Sequence, residues 1–247
     1  AREDRDVAVA GDVLRGIVAK LASDTLGVLG DDGQPFLTRA EAIARKHLPP
    51  RALSANRVLP LGLANRIREL AKAAGEGDAL LSSDIDTLFE HRAASRENAN
   101  LEALRAMGRL SRYLAEPAGA GATPAAQIAE WQTSGAFADL AGRRLRKALA
   151  SATGLHAHAG KLLERWQQRR DDENERWAHT LAAGYETAYL ASNVTALHKV
   201  THSVVAPVVA KGANVFLVVL DGCSFPVFLE LLEVLQDQHD RIGVDLA

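Results

Sequence analysis

Apolar residues recur along most of this chain at the three- and four-residue spacing of a helix face. Val9, Val13, Ile17 and Leu21 mark the first such stripe, across 7–29. Gly30-Asp31-Asp32-Gly33 then reads as a tight turn, because Gly and Asp tolerate turn backbone angles. A calcium loop is not expected there, since Val28 and Leu29 stand where further carboxylates would be needed. Thr38 and Glu41 form a capping box that predicts a helix through Ala44 to His47, stopped by Pro49-Pro50. Leu63, Ile67, Leu70 and Ala74 share a stripe over 60–74. A second capping box, Ser83 and Asp86, predicts a helix from about Asp84. Asp84 and Asp86 are read as its acidic first turn, not as a metal-binding pair. The helical spacing resumes over 98–114.

The clearest break is 116–124, E-P-A-G-A-G-A-T-P, which no apolar stripe crosses. Thr123-Pro124 suits an N-cap followed by proline at the first helical position. Beyond it, Phe137, Leu140, Ala141, Leu145, Ala148 and Leu149 share one helix face, with Arg143, Arg146 and Lys147 opposite. The longest helical pattern spans 154–205, about 75 Å if unbroken, and a break is expected near Gly184. Trp166 and Trp177 are eleven residues apart in it, so both rings face the same way.

The period then changes. Residues 214–220 read N-V-F-L-V-V-L, apolar and β-branched without polar alternation, which predicts a strand covered on both faces. Asp221-Gly222 ends it, Ser224 can cap a following helix, and Pro226 fits that helix's first turn. Phe228, Leu231, Leu232 and Leu235 form its predicted core face, out to about His239. A lone doubly buried strand needs parallel neighbours. None follows here, so they are expected in sequence beyond Ala247 or in another molecule. The first residue is Ala1 and the only Met is Met107, which suggests that the front is trimmed as well.

Composition fits this picture. Apolar residues are 47% and charged residues 24%, the range of a folded domain, while aromatics are only 5%. The 29 basic and 31 acidic side chains nearly cancel, so net charge makes no general case for nucleic-acid or membrane binding. Cys223 is the single cysteine, which rules out an internal disulfide. With neither a secretory leader nor an apolar run of spanning length, a cytoplasmic location and no membrane partner are expected.

The candidate chemistry gathers at the end of the predicted strand. In open α/β sheets ligands sit outside the carboxyl ends of the strands, where Asp221 would stand. Gly222 and Ser224 lead into the amino end of the next helix, whose free N–H groups suit a phosphate. A carboxylate for a cation beside a helix end for an anion suits metal-assisted phosphoryl transfer. Other motifs fail here. A nucleophile elbow on Ser224 would need Gly where Pro226 stands. An Asp-x-Asp phosphatase would need a carboxylate at Cys223, and a cysteine phosphatase an arginine at Leu229. Cys223 is read as a small buried residue.

An apolar strand, Asp-Gly and then a helix resembles the start of the alkaline-phosphatase superfamily. More narrowly, 215–235 (V-F-L-V-V-L-D-G-C-S-F-P-V-F-L-E-L-L-E-V-L), preceded by a long helical region, is similar to the PglZ proteins of BREX-type bacterial phage-defence systems. The resemblance covers about thirty residues, the helical arm agreeing in general character only. It implies a metal-dependent phosphatase or phosphodiesterase, with zinc the expected divalent metal. It also implies methyltransferase and ATPase partners, a bacterial cytoplasm, and DNA reached through the complex. Only Asp221 carries over, as a metal ligand. The Thr or Ser nucleophile and the later Asp and His ligands would lie downstream, so no catalytic residue and no bound metal are expected in this chain by itself.

Two other features bear on function. His198 and His202 are four apart, but Lys199 stands where a zinc-protease helix carries Glu, so they read as ordinary histidines, as do His156 and His158. Arg143, Arg144, Arg146 and Lys147, and separately Arg165, Arg169 and Arg170, are candidate phosphate-backbone contacts. Asp171-Asp172-Glu173 follows the second cluster directly, and solvated helix faces explain both. The sequence therefore predicts a mainly α chain: a helical subdomain over 1–116, a linker over 117–124 and a second helical subdomain over 125–210. The first strand and helix of an incomplete α/β domain follow over 213–247. The runner-up is a non-enzymatic helical scaffold that binds protein or DNA through its basic faces.

Overall fold

A computed structural model describes residues 24–25, 33–95, 98–119, 121–190 and 195–238. The stripe over 7–29 and the Gly30–Asp32 part of the first turn lie outside the described residues, apart from Asp24 and Thr25. Among the described residues the regular elements are all helical, and no strand forms. The described chain packs as two compact units. One takes the residues up to Ser111 with Leu145–Leu162; the other takes Arg112–Arg144 and the residues from Leu163 onward.

In the first unit α1 (Gln34–His47), α2 (Pro50–Ser54) and α3 (Pro60–Glu76) each carry proline in the first turn, where its missing N–H costs nothing. The Thr38–Glu41 capping box does not form. α1 begins four residues earlier, after Gly33, and the Thr38 hydroxyl donates back to the Gln34 carbonyl at 3.1 Å inside the helix. Glu41 instead accepts from the Leu61 N–H at 2.7 Å, capping the start of α3. Asn56 accepts from the Val58 and Leu59 N–H groups at 2.9 and 2.7 Å and closes the turn before it. α3 buries Leu63, Ile67, Leu70 and Ala74, the four predicted positions.

The second capping box also fails. α4 (Ser82–Asp86) starts without a side-chain cap and passes into a 3-10 turn, Thr87–Glu90. α5 (Ala99–Ala115) is capped by Asn98, which accepts from the Asn100 N–H at 3.0 Å. Its Leu101, Leu104, Met107 and Leu110 are fully buried, as are Leu145, Leu155 and Leu162 of the same unit. Buried Ser111 is satisfied on both sides: it accepts from the Leu80 N–H and donates to the Gly108 carbonyl.

In the second unit Thr123 caps α6 (Pro124–Glu130), accepting from the Ala126 N–H, with Pro124 at the first position as predicted. A π-helical turn, Trp131–Gly135, joins α6 to α7 (Ala136–Leu149), whose residues from Leu145 onward belong to the first unit. Leu140 and Ala141 are buried as expected, but Phe137 is exposed and Ala138 takes the inner position. α8 (His156–Leu190) runs 35 residues and breaks its helical angles at Gly184, close to the expected place. The pattern expected to continue to 205 gives way to short turns, Leu197–Lys199 and Thr201–Val205, before α9 (Ala206–Ala210). Trp166 is buried, and Trp177 is partly covered.

The predicted strand over 214–220 is not formed. These residues adopt neither helix nor ladder, and Val215 to Leu220 are exposed, Phe216 by 92%. The physical reason is the one that makes a lone strand unstable: a ladder needs a neighbour for its N–H and C=O groups, and no strand is present among the described residues. α10 (Phe225–Gln238) follows with Pro226 in its first turn. Its inner face is rotated from the predicted one: Leu229 is buried, while Leu231 is exposed and Phe228, Leu232 and Leu235 are partly covered. Among the described residues no helix is long and apolar enough to cross a membrane.

Candidate functional site

Asp221 and Gly222 form the turn that leads to α10. Gly222 takes a φ of 69°, a left-handed angle that suits glycine, and the Cys223 N–H reaches back to the Leu220 carbonyl at 3.4 Å. The Phe228 N–H bonds to the Ser224 carbonyl at 2.9 Å, so Ser224 stands at the helix entry as predicted. Asp221 and Ser224 are exposed, and Cys223, expected to be buried, is partly covered. Asp221 thus follows the apolar segment and precedes a helix amino end, but no sheet edge among the described residues frames it. Among the described residues no group of three or more His, Cys, Asp or Glu side chains could hold a metal. One carboxylate by itself does not hold a divalent ion, so Asp221 could supply only one ligand of the zinc site that the resemblance implies.

Two arginines of the α7 basic run are engaged within the second unit. Arg143 pairs with Glu230 of α10 at 3.1 Å, and Arg144 pairs with Glu233. Arg146 and Lys147 are exposed. In the second basic cluster Arg165 is exposed, while Arg169 and Arg170 are partly covered. Arg169 meets Glu173 at 3.0 Å, and Arg170 meets Asp139 at 3.0 Å and Glu173 as well. His198 and His202 do not share a continuous helix. His198 stacks on Tyr189, ring centres 5.7 Å apart, and its Nε2 is 3.1 Å from the Tyr189 hydroxyl.

The most connected polar assembly of the second unit is one that sequence reasoning missed. Glu173 accepts from the Tyr113 hydroxyl, from Arg169 and from Arg170. Arg169 lies over the Tyr113 ring at 4.1 Å and donates to the Tyr113 and Glu116 carbonyls. Asp139 accepts from the Trp131 indole N–H at 3.2 Å. Burial pushes Glu173 up, but hydrogen bonds from Tyr113, Arg169 and Arg170 outweigh it and hold the carboxyl below its ordinary value. Burial raises Asp139 despite the opposing charge of Arg170. Burial, then the bond to Glu173, pushes the Tyr113 hydroxyl up to about 12. The one legible signal is the spacing of Arg169 and Arg170 before Glu173, four and three residues, which places all three on one helix face.

Beside this assembly lies a cavity of about 560 Å³, lined among others by Trp131, Trp177, Ile128, Glu130, Ser134 and Asn174. The π-helical turn supplies Trp131 and Ser134 to its wall. Such turns insert one extra residue into a helix and recur at functional sites. Comparison with protein-family models, with curated proteins and with solved structures gave no match.

Proposed function

We propose that this chain is the helical docking arm of a PglZ-like phage-defence protein and that 214–220 is the first strand of its alkaline-phosphatase-like α/β domain. The observation that carries the reading is the state of Val215 to Leu220: six consecutive apolar residues, all exposed, followed at once by an Asp-Gly turn and a helix. Leaving six large apolar side chains in water forgoes about 1.5–3 kcal/mol for each one that could be fully buried, so such a run calls for a cover. Parallel neighbour strands would supply it, and would also pair the backbone groups of 214–220. In that sheet Asp221 would stand at the strand's carboxyl end as one ligand of a divalent metal, with Gly222 and Ser224 at the phosphate side. The remaining ligands and the nucleophile would come from outside this chain, and the metal chemistry belongs to that complete site.

The test compares two proteins. The 247-residue chain is expected to show no divalent-metal-dependent hydrolysis of bis-p-nitrophenyl phosphate. A longer form carrying the downstream sequence is expected to hydrolyse it, and Asp221→Ala in that form to reduce the rate at least about a hundredfold. An unchanged rate in Asp221→Ala would remove the assignment. Docking is tested by co-purification of this chain with a methyltransferase or ATPase of the same system.

The alternative, a scaffold holding DNA through basic helix faces, has less support. Arg143, Arg144, Arg169 and Arg170 already face carboxylates. A DNA titration across salt concentrations would favour it only if binding is tight, falls steeply with salt and is lost when Arg143, Arg144 and Arg146 are neutralised.

A further inference from the structure

The arginines around the second unit's cavity are turned onto the protein itself. Arg169 uses its donors on Glu173 and on the carbonyls of Tyr113 and Glu116; Arg170 uses its own on Asp139 and Glu173. Arg176 donates to the Gly119 carbonyl. Against these three cations stand Glu116, Glu130 and Glu173 in the wall and Asp139 just behind it. The assembly therefore carries one carboxylate more than it has arginines. Among the described residues the Glu130 carboxylate has neither an ion pair nor a hydrogen-bond donor, although the residue is partly covered; only its carbonyl is engaged, by the Thr133 hydroxyl. Trp131 and Trp177 line the same cavity and offer aromatic surface, and Asn174 and Ser134 add neutral polar groups.

From this we infer that the cavity is a binding site for an organic ammonium ion carried on an apolar body, with Glu130 as its counter-ion and the indoles of Trp131 and Trp177 as its cation–π and apolar walls. An anion would meet Arg169 and Arg170 already bonded to carboxylates, with only Arg176, held on the Gly119 carbonyl, lacking such a partner, and beside them the Glu130 carboxylate that repels it. A cation meets that carboxylate and the negative ring faces, the combination that selects ammonium groups. The volume of about 560 Å³ is in the range of small-molecule pockets and leaves room for the apolar body. This site is independent of the Asp221 turn and of the phosphoryl-transfer reading.

The experiment titrates the 247-residue chain, followed by tryptophan fluorescence and by the indole N–H resonances, with three probes of one size class. These are benzyltrimethylammonium, neutral benzyl alcohol and anionic phenyl phosphate. The cation is expected to bind saturably and to shift the Trp131 and Trp177 indole signals, with the other two at least about tenfold weaker. Glu130→Gln is expected to weaken the cation at least about tenfold while leaving the melting temperature unchanged, since the native carboxylate has no protein partner to lose. Preferential binding of phenyl phosphate, equal binding of benzyl alcohol, or saturation by none of the probes would overturn the inference. So would undiminished cation binding in a folded Glu130→Gln protein.

Discussion

The six-membered ring of Trp166 lies so close to Gly142 that a methyl group placed on that glycine would sit 2.9 Å from the ring's Cη2. Gly142 is within α7, where Ala is ordinarily better than Gly by about 1 kcal/mol. Here the steric term decides the sign. Gly142→Ala is expected to lower stability by about 1–3 kcal/mol, the usual cost of overpacking. Gly160, in α8, is the control: an added Cβ there meets nothing within 4 Å, so Gly160→Ala should stabilise by about 0.5–1 kcal/mol. Urea denaturation of the two variants checks both signs.

Tyr113 donates to Glu173 at 2.6 Å, and its hydroxyl is pushed up to about 12 from an ordinary 10. The folded chain therefore holds this proton more tightly than the unfolded chain does. The stabilisation is complete below pH 10 and is lost as pH rises from 10 towards 12. One of the three tyrosines should show its phenolate absorbance at 295 nm only near pH 12 in the folded protein. Tyr113→Phe should remove that late step, flatten stability between pH 10 and 12, and cost about 1–2 kcal/mol at neutral pH.

His91 is buried with both ring nitrogens engaged. Nε2 lies 3.1 Å from the Asn56 carbonyl, and Nδ1 accepts from the Ala93 N–H at 3.0 Å, which fixes a neutral ring. Burial lowers its pKa, only partly offset by its bonds to Asn56 and Leu59, so the unfolded chain takes up the proton first as pH falls. Its contribution is whole above the unfolded value of about 6.5 and declines as pH falls through and below it. His91→Gln keeps a donor towards Asn56 but does not titrate. Melting curves of the two proteins from pH 8 to 5 should diverge above and converge below about 6.5; parallel curves would refute the account.

Local chemistry made some of this fold readable. Thr123-Pro124 starts α6 because a hydroxyl acceptor and a fixed proline φ both act within four residues. The α3 stripe is buried because one amphipathic face has one way to hide. The Thr38–Glu41 pair misled because Glu41 found a better donor twenty residues away, at Leu61, a choice set by tertiary packing. The segment 214–220 was legible only as an apolar run. Whether it pairs depends on neighbours that the local pattern does not contain. The polar assembly at Glu173 was hidden for the same reason. Its Arg169 and Arg170 partners are local, but Tyr113 is 60 residues distant. Read alone, 169–173 is indistinguishable from a solvated charged helix face.

Glu41 provides the sharpest test of that tertiary capping. Its carboxylate satisfies an N–H in the first turn of α3 that would otherwise have no helical partner. Glu41→Ala should therefore cost about 1 kcal/mol, the usual worth of a helix cap, though residue 41 lies on another helix. Glu41→Gln retains an acceptor oxygen and should recover most of it, losing only the charge–dipole part of about 0.3–1 kcal/mol. Native-state hydrogen exchange locates the effect: the Leu61 amide should lose protection in Glu41→Ala, while the amides at the far end of α3 change little. Uniform loss along α1 and no local change at Leu61 would mean that Glu41 acts within its own helix, as the capping-box pattern first suggested.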